Sequence, residues 1–175
     1  FAFVAGFFIF HVIEKLFLVH HTHEEEYGPH HHPAVGTLSA AALFFHTFLD
    51  GLAIGLSFQV NPALGVAVAI GIIAHGFSDG LNTVSLMLVH GNSLKKTLRI
   101  LVLNAAAPLL GGLVSIFVSL PEQTLLLTIG FIGGFLLYIG ASDILPEAHS
   151  KRSSYKTVLA TLAGVLFIFV VTQLL

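Results

Sequence analysis

Long apolar runs separated by short polar connections dominate the chain. Six runs reach the length of about 20 residues that a helix needs to cross a bilayer core of about 30 Å. Strands of a barrel would be shorter and would alternate apolar with polar residues, which these runs do not. The pattern therefore predicts an all-α fold, a polytopic transmembrane helical bundle in a single domain. The predicted helices cover residues 1–19, 36–58, 63–89, 98–119, 124–146 and 156–175.

Composition agrees with a membrane protein. Hydrophobic residues make up 55% of the chain and charged residues 9%, whereas about 25% of the residues in soluble domains are charged. The chain contains no cysteine, which excludes disulfides and thiolate metal ligands within it. It begins at an apolar residue, Phe1, without an initiator methionine or a basic leader region. We therefore expect that the sequence is truncated at this end.

Basic residues are distributed unevenly between the predicted helices. If the helices alternate in direction, all seven basic residues fall on one side, which the positive-inside rule assigns to the cytoplasm. The connections on the opposite side carry only Glu122 as a charged residue. We therefore expect both ends of the chain outside, in a plasma membrane or a cell inner membrane. The basic residues are Lys15, Lys95, Lys96, Arg99, Lys151, Arg152 and Lys156.

One long connection, residues 20–35, separates the first two apolar runs and falls on the cytoplasmic side. It contains the segment HHTHEEEYGPHHH, with six histidines and three glutamates. Its glycine, proline and polar residues predict a loop. Imidazoles and carboxylates at this density suit divalent ions such as Zn²⁺, and a solvated linker with incidental metal affinity is the alternative. The candidate ligands are His20, His21, His23, His30, His31 and His32.

Two polar motifs, HTFLDGL and HGFSDGL, lie in the middle of neighbouring apolar runs. They share five of seven positions and form a local internal repeat. Helical spacing puts His46 and Asp50 on one face of the first helix, and His75 and Asp79 on one face of the next. A short connection makes these helices antiparallel neighbours, so the two pairs can meet at similar depth. Four metal ligands would then converge near the bilayer midplane.

The negative charges of Asp50 and Asp79 near the middle of the membrane need an explanation. An aspartate at the centre of a transmembrane helix costs about 2.5–3.5 kcal/mol, and two neighbouring aspartates also repel each other. Protonated carboxyl groups or a packing network of His–Asp hydrogen bonds would reduce the cost. A divalent cation would offset it directly, because two neutral imidazoles and two carboxylates hold it with charge neutrality. Two such pairs in register favour the metal site.

Glycines beside both motifs predict close approach of neighbouring helices, as small residues do in membrane bundles. Simple packing is the alternative for each glycine taken singly. These residues are Gly51, Gly55, Gly76 and Gly80.

Other polar residues are candidates for accessory or pathway positions. Asn104 and Pro108 could line the pathway or mark a kink, and we favour packing for them. Asp143 and Glu147 lie near the C-terminus of the fifth predicted helix, where the helix dipole disfavours negative charge. Either a metal exit path or simple termination of the span at the membrane surface explains them. His11, Glu14 and Lys15 close the first predicted helix, and for them we favour interfacial snorkelling, in which the polar end of the side chain reaches the membrane surface. The accessory candidates are Asn82, Asp143, Glu147, His149, His11 and Glu14.

Several features follow one another in a distinctive order. FFIFHVIEKLFLVHH runs into the His-rich loop, H-x-x-x-D-G occurs in two successive helices, and DILPE comes late in the chain. In this order the chain resembles the ZIP family of divalent metal transporters. The resemblance implies an eight-helix fold with both ends outside, of which this chain is similar to helices three to eight. It also implies uptake of Zn²⁺ or a related ion toward the cytoplasm, with His46, Asp50, His75 and Asp79 as ligands.

The chain departs from the family pattern at two positions. Many members have asparagine after the first motif histidine and an acidic residue after the second, where these side chains help to hold a second metal. Here the residues are Thr47 and Gly76, and the segment 98–119 has no carboxylate. We therefore predict one metal site and not a two-metal centre.

The predicted function is transport of a divalent metal cation, zinc first, toward the cytoplasm by alternating access around the midplane His/Asp site. The cargo is Zn²⁺, or Fe²⁺, Mn²⁺ or Cd²⁺, without a catalytic cofactor, and the chain is not predicted to be an enzyme. The expected partners are metal ions and the lipid bilayer, with no nucleic acid, and a homodimer is one oligomeric state to test. The alternatives are a membrane-embedded zinc hydrolase, although the chain lacks H-E-x-x-H, and a metal-binding sensor that does not transport.

Overall fold

The computed structural model describes residues 1–22, 33–144 and 155–174. These residues form six α-helices and no strand, which confirms the predicted all-α class. The helices are α1 (Ala2–Thr22), α2 (Pro33–Val60), α3 (Pro62–Val89), α4 (Leu94–Phe117), α5 (Glu122–Ile139) and α6 (Tyr155–Leu174), and a π-helical turn, Gly140–Ile144, follows α5.

Five of the helices in the described part of the chain, α2 to α6, are long and apolar enough to cross a membrane. The described apolar stretch of α1 is shorter, Ala2–Ile13. These spans agree with the transmembrane helical bundle predicted from the apolar runs.

Helix ends depend on capping residues that hydropathy does not report. The apolar run predicts a helix from residue 98, whereas α4 begins at Leu94 because Ser93 caps it: its Oγ accepts from the Lys96 main-chain N–H at 3.4 Å. The opposite difference occurs at the end of α5. The apolar run predicts a helix over 124–146, whereas α5 ends at Ile139 and the next residues form the π-helical turn. The apolar pattern marks the core of each helix better than its ends.

The structure divides into two compact units, and the first comprises Phe1–Glu26 and Pro121–Leu175. Within it α1 packs against α5 through glycines and aromatic rings. The main-chain carbonyl of Phe3 lies against Gly134, where a Cβ would clash. The rings of Phe10 and Phe135 stack with centroids 3.8 Å apart. No residue of α6 is buried among the described residues.

The second unit, Tyr27–Leu120, contains α2, α3 and α4. In it α2 packs against both other helices, and the closest approach is between α2 and α4. A Cβ added at Gly51 would clash with the Pro108 carbonyl, and one added at Gly111 would clash with the Phe48 carbonyl. Main chain therefore contacts main chain, which only glycine permits at these positions.

The predicted close approach is found at the α2 glycines and, within the second unit, not at those of α3. Gly51 packs on α4, and Gly55 lies against Ser115 of the same helix. An added Cβ would meet nothing within 4 Å at Gly76 and only the Leu101 side chain, at 3.6 Å, at Gly80. The α3 glycines therefore do not mark a close helix contact within this unit.

A polar network joins the start of α2 to the turn between α3 and α4. The Lys96 Nζ atom donates to Thr37 Oγ1 at 2.6 Å and to Asn92 Oδ1 at 2.9 Å. The Asn92 amide in turn donates to the Pro33 carbonyl at 3.0 Å. Gly91 makes the turn with a positive φ of 77°. The basic turn and the N-terminus of α2 therefore lie at the same end of the second unit, which we call the basic end.

Candidate metal centre

Helices α2 and α3 carry the two motifs and are joined by a single residue, Asn61. Its extended backbone (φ −164°, ψ 156°) reverses the chain, and its side chain caps α3 by accepting from the Leu64 N–H at 2.8 Å. Pro62 occupies the first position of α3, where its missing N–H costs no helical hydrogen bond. This turn makes α2 and α3 antiparallel neighbours, as the sequence predicts.

Four side chains from the two motifs form one cluster. Each offers one ligand atom, and these atoms all lie within 4.8 Å of one another. The structure thus brings together all four predicted ligands, and no other histidine or acidic residue of the described segments joins the group. Its members are His46, Asp50, His75 and Asp79.

Three of the six distances between the ligand atoms are close to those of a tetrahedral ion site. Asp50 Oδ2 lies 3.5 Å from His46 Nε2 and 3.3 Å from His75 Nε2. The His75 Nε2 atom lies 3.6 Å from Asp79 Oδ2. With zinc–ligand bonds of about 2.0–2.1 Å, neighbouring ligand atoms of a tetrahedron are about 3.3–3.4 Å apart. These three distances are within about 0.3 Å of the tetrahedral value, and the other pairs lie within 4.8 Å, so the side chains would have to draw together around a zinc ion.

The orientation of His75 presents a lone pair to the cluster. Its Nδ1 atom lies 3.1 Å from the Gly71 carbonyl, which can only accept, so Nδ1 carries the proton. In the neutral ring, Nε2 then points its lone pair at Asp50 Oδ2, 3.3 Å away. Two acceptors facing each other repel unless a metal cation, or a proton on Nε2, lies between them. The Gly71 contact is the kind of outer-shell hydrogen bond that orients histidine ligands.

Burial makes the charge of this cluster costly. The side chain of Asp50 is 2% exposed, that of His46 11% and that of Asp79 15%, whereas His75 is 36% exposed. Asp50 Oδ1 and Asp79 Oδ2 are buried and have no hydrogen-bond partner within the described residues. A buried carboxylate needs a compensating positive charge, and a divalent cation would supply it to both carboxylates.

Comparison with known proteins identifies the family. A family model described as ZIP zinc transporter matches residues 19–172, most of the chain. The chain belongs to the ZIP zinc transporter family. Its ZIP membership and its five apolar spans make it an integral membrane protein.

Similar proteins within the ZIP family are named as transporters. The chain is 29% identical over 143 residues to zinc transporter zipt-7.2 of Caenorhabditis elegans, covering 77% of this chain and 31% of that protein. It is 30% identical over 114 residues to zinc transporter GufA of Myxococcus xanthus, covering 64% and 45%. With metal cation symporter ZIP14 of Xenopus tropicalis the identity is 34% over 104 residues, covering 59% and 22%. The chain spans less than half the length of each of these relatives. No solved structure matches it.

The structure describes the surroundings of Thr47 and Gly76, the two positions that depart from the ZIP pattern. Thr47 is buried, and its hydroxyl lies 3.1 Å from the carbonyls of Leu43 and Phe44 in its own helix. Gly76 is exposed, with open space where a side chain would begin. Neither position adds a ligand atom to the four-residue cluster.

Among the accessory candidates, the structure describes the side chains of Asn82 and His11. Asn82 is exposed on α3, while its neighbour Thr83 is buried. His11 is part-buried in the first unit, where its ring contacts Tyr138 edge to face at 5.6 Å. These assignments stay predictions. The side chains of Glu14, His20, His21 and Asp143, and the whole of His23, His30, His31, His32, Glu147 and His149, lie outside the described residues.

Sequence reasoning missed Thr83 and its hydrogen bond to Asn104, beside the cluster. Thr83 lies one helical turn beyond Asp79, and its hydroxyl donates to the Asp79 main-chain carbonyl at 2.9 Å. It also accepts from the Asn104 side chain at 2.8 Å. The spacing of Asp79 and Thr83 was visible in the sequence, but the partner on α4 depends on helix packing that no local pattern encodes.

Proposed function

We propose that this protein transports a divalent metal cation across the membrane, with zinc as the cargo and the four-ligand cluster as its binding site. The supporting observation is the convergence of two imidazoles and two carboxylates from α2 and α3 at distances that suit tetrahedral coordination. This nitrogen and oxygen set is acceptable to Zn²⁺ and also to Fe²⁺, Mn²⁺ and Cd²⁺. The relatives named as zinc transporters support the choice of zinc.

The proposed mechanism is alternating access around the cluster. The ion exchanges part of its water shell for His46, Asp50, His75 and Asp79, and a movement of the helices that carry them opens the site to the other side. Binding must be moderate, because a site that never releases its ion does not transport. The direction is toward the cytoplasm, which the positive-inside rule places at the basic end, near Lys95, Lys96 and Arg99.

One ion at a time occupies this centre in our proposal. The hydroxyl of Thr47 is directed at carbonyls of its own helix, and Gly76 has no side chain to offer. A second metal beside the first would thus lack the ligands that the residues after each motif histidine supply in many ZIP proteins.

Ion selectivity tests the proposed function. Zn²⁺ and Cd²⁺ are expected to enter proteoliposomes containing the protein and an entrapped metal indicator, whereas Mg²⁺ is expected to stay out. Mg²⁺ requires nearly octahedral oxygen coordination and gives up its water reluctantly, and the cluster offers two nitrogen and two carboxylate ligands. Protein-free liposomes are the control. Equal entry of Mg²⁺, or zinc entry no faster than in the control, would contradict the proposal.

A further inference from the structure

A second group of unsatisfied oxygen atoms lies beside the four-ligand cluster, at Asn104 of α4. This residue is 5% exposed. Its side-chain nitrogen donates to Thr83 Oγ1 at 2.8 Å and to the Ala40 carbonyl at 3.4 Å. Its Oδ1 atom is buried and has no hydrogen-bond partner in the described segments. Leaving a buried acceptor unpaired costs about 1–3 kcal/mol, so this oxygen calls for a physical explanation.

The orientation of the Asn104 amide follows from its partner. The Thr83 hydroxyl has one proton, which it donates to the Asp79 main-chain carbonyl at 2.9 Å. It can then accept from the Asn104 NH₂ group, which also donates to the Ala40 carbonyl at 3.4 Å. That carbonyl can only accept, so a flipped amide would place Oδ1 against it, acceptor facing acceptor. Oδ1 is thus the atom that lacks a donor.

Pro108 leaves a second oxygen of the same residue short of a donor. Proline has no N–H, so the main-chain carbonyl of Asn104, four residues earlier in α4, loses its helical hydrogen bond. The Thr47 hydroxyl lies 3.5 Å from this carbonyl. However, its single proton has closer acceptors at 3.1 Å in the carbonyls of Leu43 and Phe44. Asn104 therefore offers one unpaired and one weakly paired oxygen.

Both oxygens belong to a residue that lines the same cavity as the two carboxylate ligands of the ion site. This cavity, of about 820 Å³, is lined by Asp50, Asp79, Thr47 and Asn104 among mainly apolar residues. Thr83, the partner of Asn104, lies one turn beyond Asp79, about 6 Å along the axis of α3. That turn leads toward the C-terminus of α3, which is the basic end of the second unit.

We propose that Asn104 Oδ1 and the Asn104 main-chain carbonyl form a second station for the divalent cation, between the four-ligand cluster and the basic end. The inference rests on the proposed transport function. At this station the ion keeps part of its water shell, and the two oxygens coordinate it or accept hydrogen bonds from its water. Neutral oxygen ligands hold zinc more weakly than imidazoles and carboxylates, which suits a position from which the ion is released. A carbonyl freed from its helix is a known kind of ligand along transport pathways.

The test combines zinc binding in detergent with zinc uptake into proteoliposomes. Asn104→Ala is expected to leave the zinc affinity of the four-ligand cluster within about twofold and to lower the maximal uptake rate by about tenfold, the lower range for losing an outer-shell group. Thr83→Val removes the partner of the amide but keeps Oδ1, so it should retain most of the uptake. Asn104→Asp is expected to lower both KM and the maximal rate, because an added negative charge holds the ion longer.

Separate outcomes overturn this inference and the proposed function. Wild-type uptake by Asn104→Ala would mean that Asn104 takes no part in transport. An equal loss in Thr83→Val, or a raised KM in Asn104→Asp, would mean that Asn104 acts through packing. Each of these results overturns the station even if the four-ligand cluster binds zinc and the protein transports it. If instead the wild-type protein binds zinc but admits none, the transport function fails, and the station fails with it.

Discussion

Asp50→Asn is expected to abolish zinc uptake and to weaken zinc binding by about 100-fold to 4,000-fold. The Asp50 carboxylate is the most buried of the four ligands and lies within reach of both imidazoles, at 3.5 Å and 3.3 Å. The amide keeps the shape of the side chain but removes one of the two negative charges that neutralise the cation. Breaking a buried charge pair costs about 3–5 kcal/mol, and each 1.4 kcal/mol is about a tenfold change in affinity. Calorimetry in detergent and uptake into proteoliposomes measure the two effects.

The same substitution should not destabilise the metal-free protein. It removes a buried negative charge whose Oδ1 atom has no hydrogen-bond partner within the described structure, so the apparent Tm without zinc is expected to stay the same or rise. Asp79→Asn should also abolish uptake. Glu122→Gln, an exposed acid at the start of α5, is the matched control and should behave like the wild type. Zinc binding and uptake by Asp50→Asn at wild-type levels would remove Asp50 from the ligand set.

Gly111→Ala is expected to lower the stability of the folded protein by about 1–3 kcal/mol, the usual range for overpacking, and to reduce zinc uptake with it. The added methyl group would clash with the Phe48 carbonyl and approach the Leu52 nitrogen to 2.7 Å. Main chain cannot move aside as a side chain does, so α2 and α4 must separate. Because α2 carries His46 and Asp50, separation of these helices also displaces half of the ligand cluster. Thermal unfolding in detergent measures the effect on stability.

The neighbouring glycine supplies the control for this prediction. An added Cβ at Gly112 would lie 3.7 Å from the Gly51 carbonyl, an ordinary contact. Replacing a helical glycine by alanine favours the helix by about 1 kcal/mol, so Gly112→Ala should be neutral or stabilising. If both substitutions lowered the Tm equally, helix flexibility rather than the α2–α4 contact would be the cause.

The parts of the site that depend on local periodicity could be predicted from the sequence. The His-x-x-x-Asp spacing fixes one face of each helix, and the short connection at 59–62 makes α2 and α3 antiparallel neighbours, so the four ligands were expected to lie near one another. The closest contact, 3.3 Å between His75 and Asp50, crosses between helices. It depends on how α2 and α3 pack, which the spacing does not determine.

The parts that depend on packing between helices could not be predicted. Gly51 and Gly76 occur beside the motifs in the same way, yet only Gly51 meets another main chain. The Thr83–Asn104 hydrogen bond joins residues of two helices, and no local pattern pairs them. Likewise, the apolar run through α5 does not distinguish an α-helix from the π-helical turn at Gly140–Ile144, because the two differ in hydrogen-bond pattern and not in hydropathy.

X-ray absorption at the zinc edge tests the central claim most directly. The sample is the protein with one equivalent of zinc and with the six histidines of segment 20–32 replaced by serine, so that the loop cannot compete. We expect the zinc ion to have four nitrogen or oxygen neighbours at about 2.0–2.1 Å. The spectrum should also show imidazole scattering, which should be lost in the double variant His46→Ala/His75→Ala. Zinc with six oxygen neighbours and no imidazole signal, or a spectrum unchanged by those substitutions, would contradict this claim.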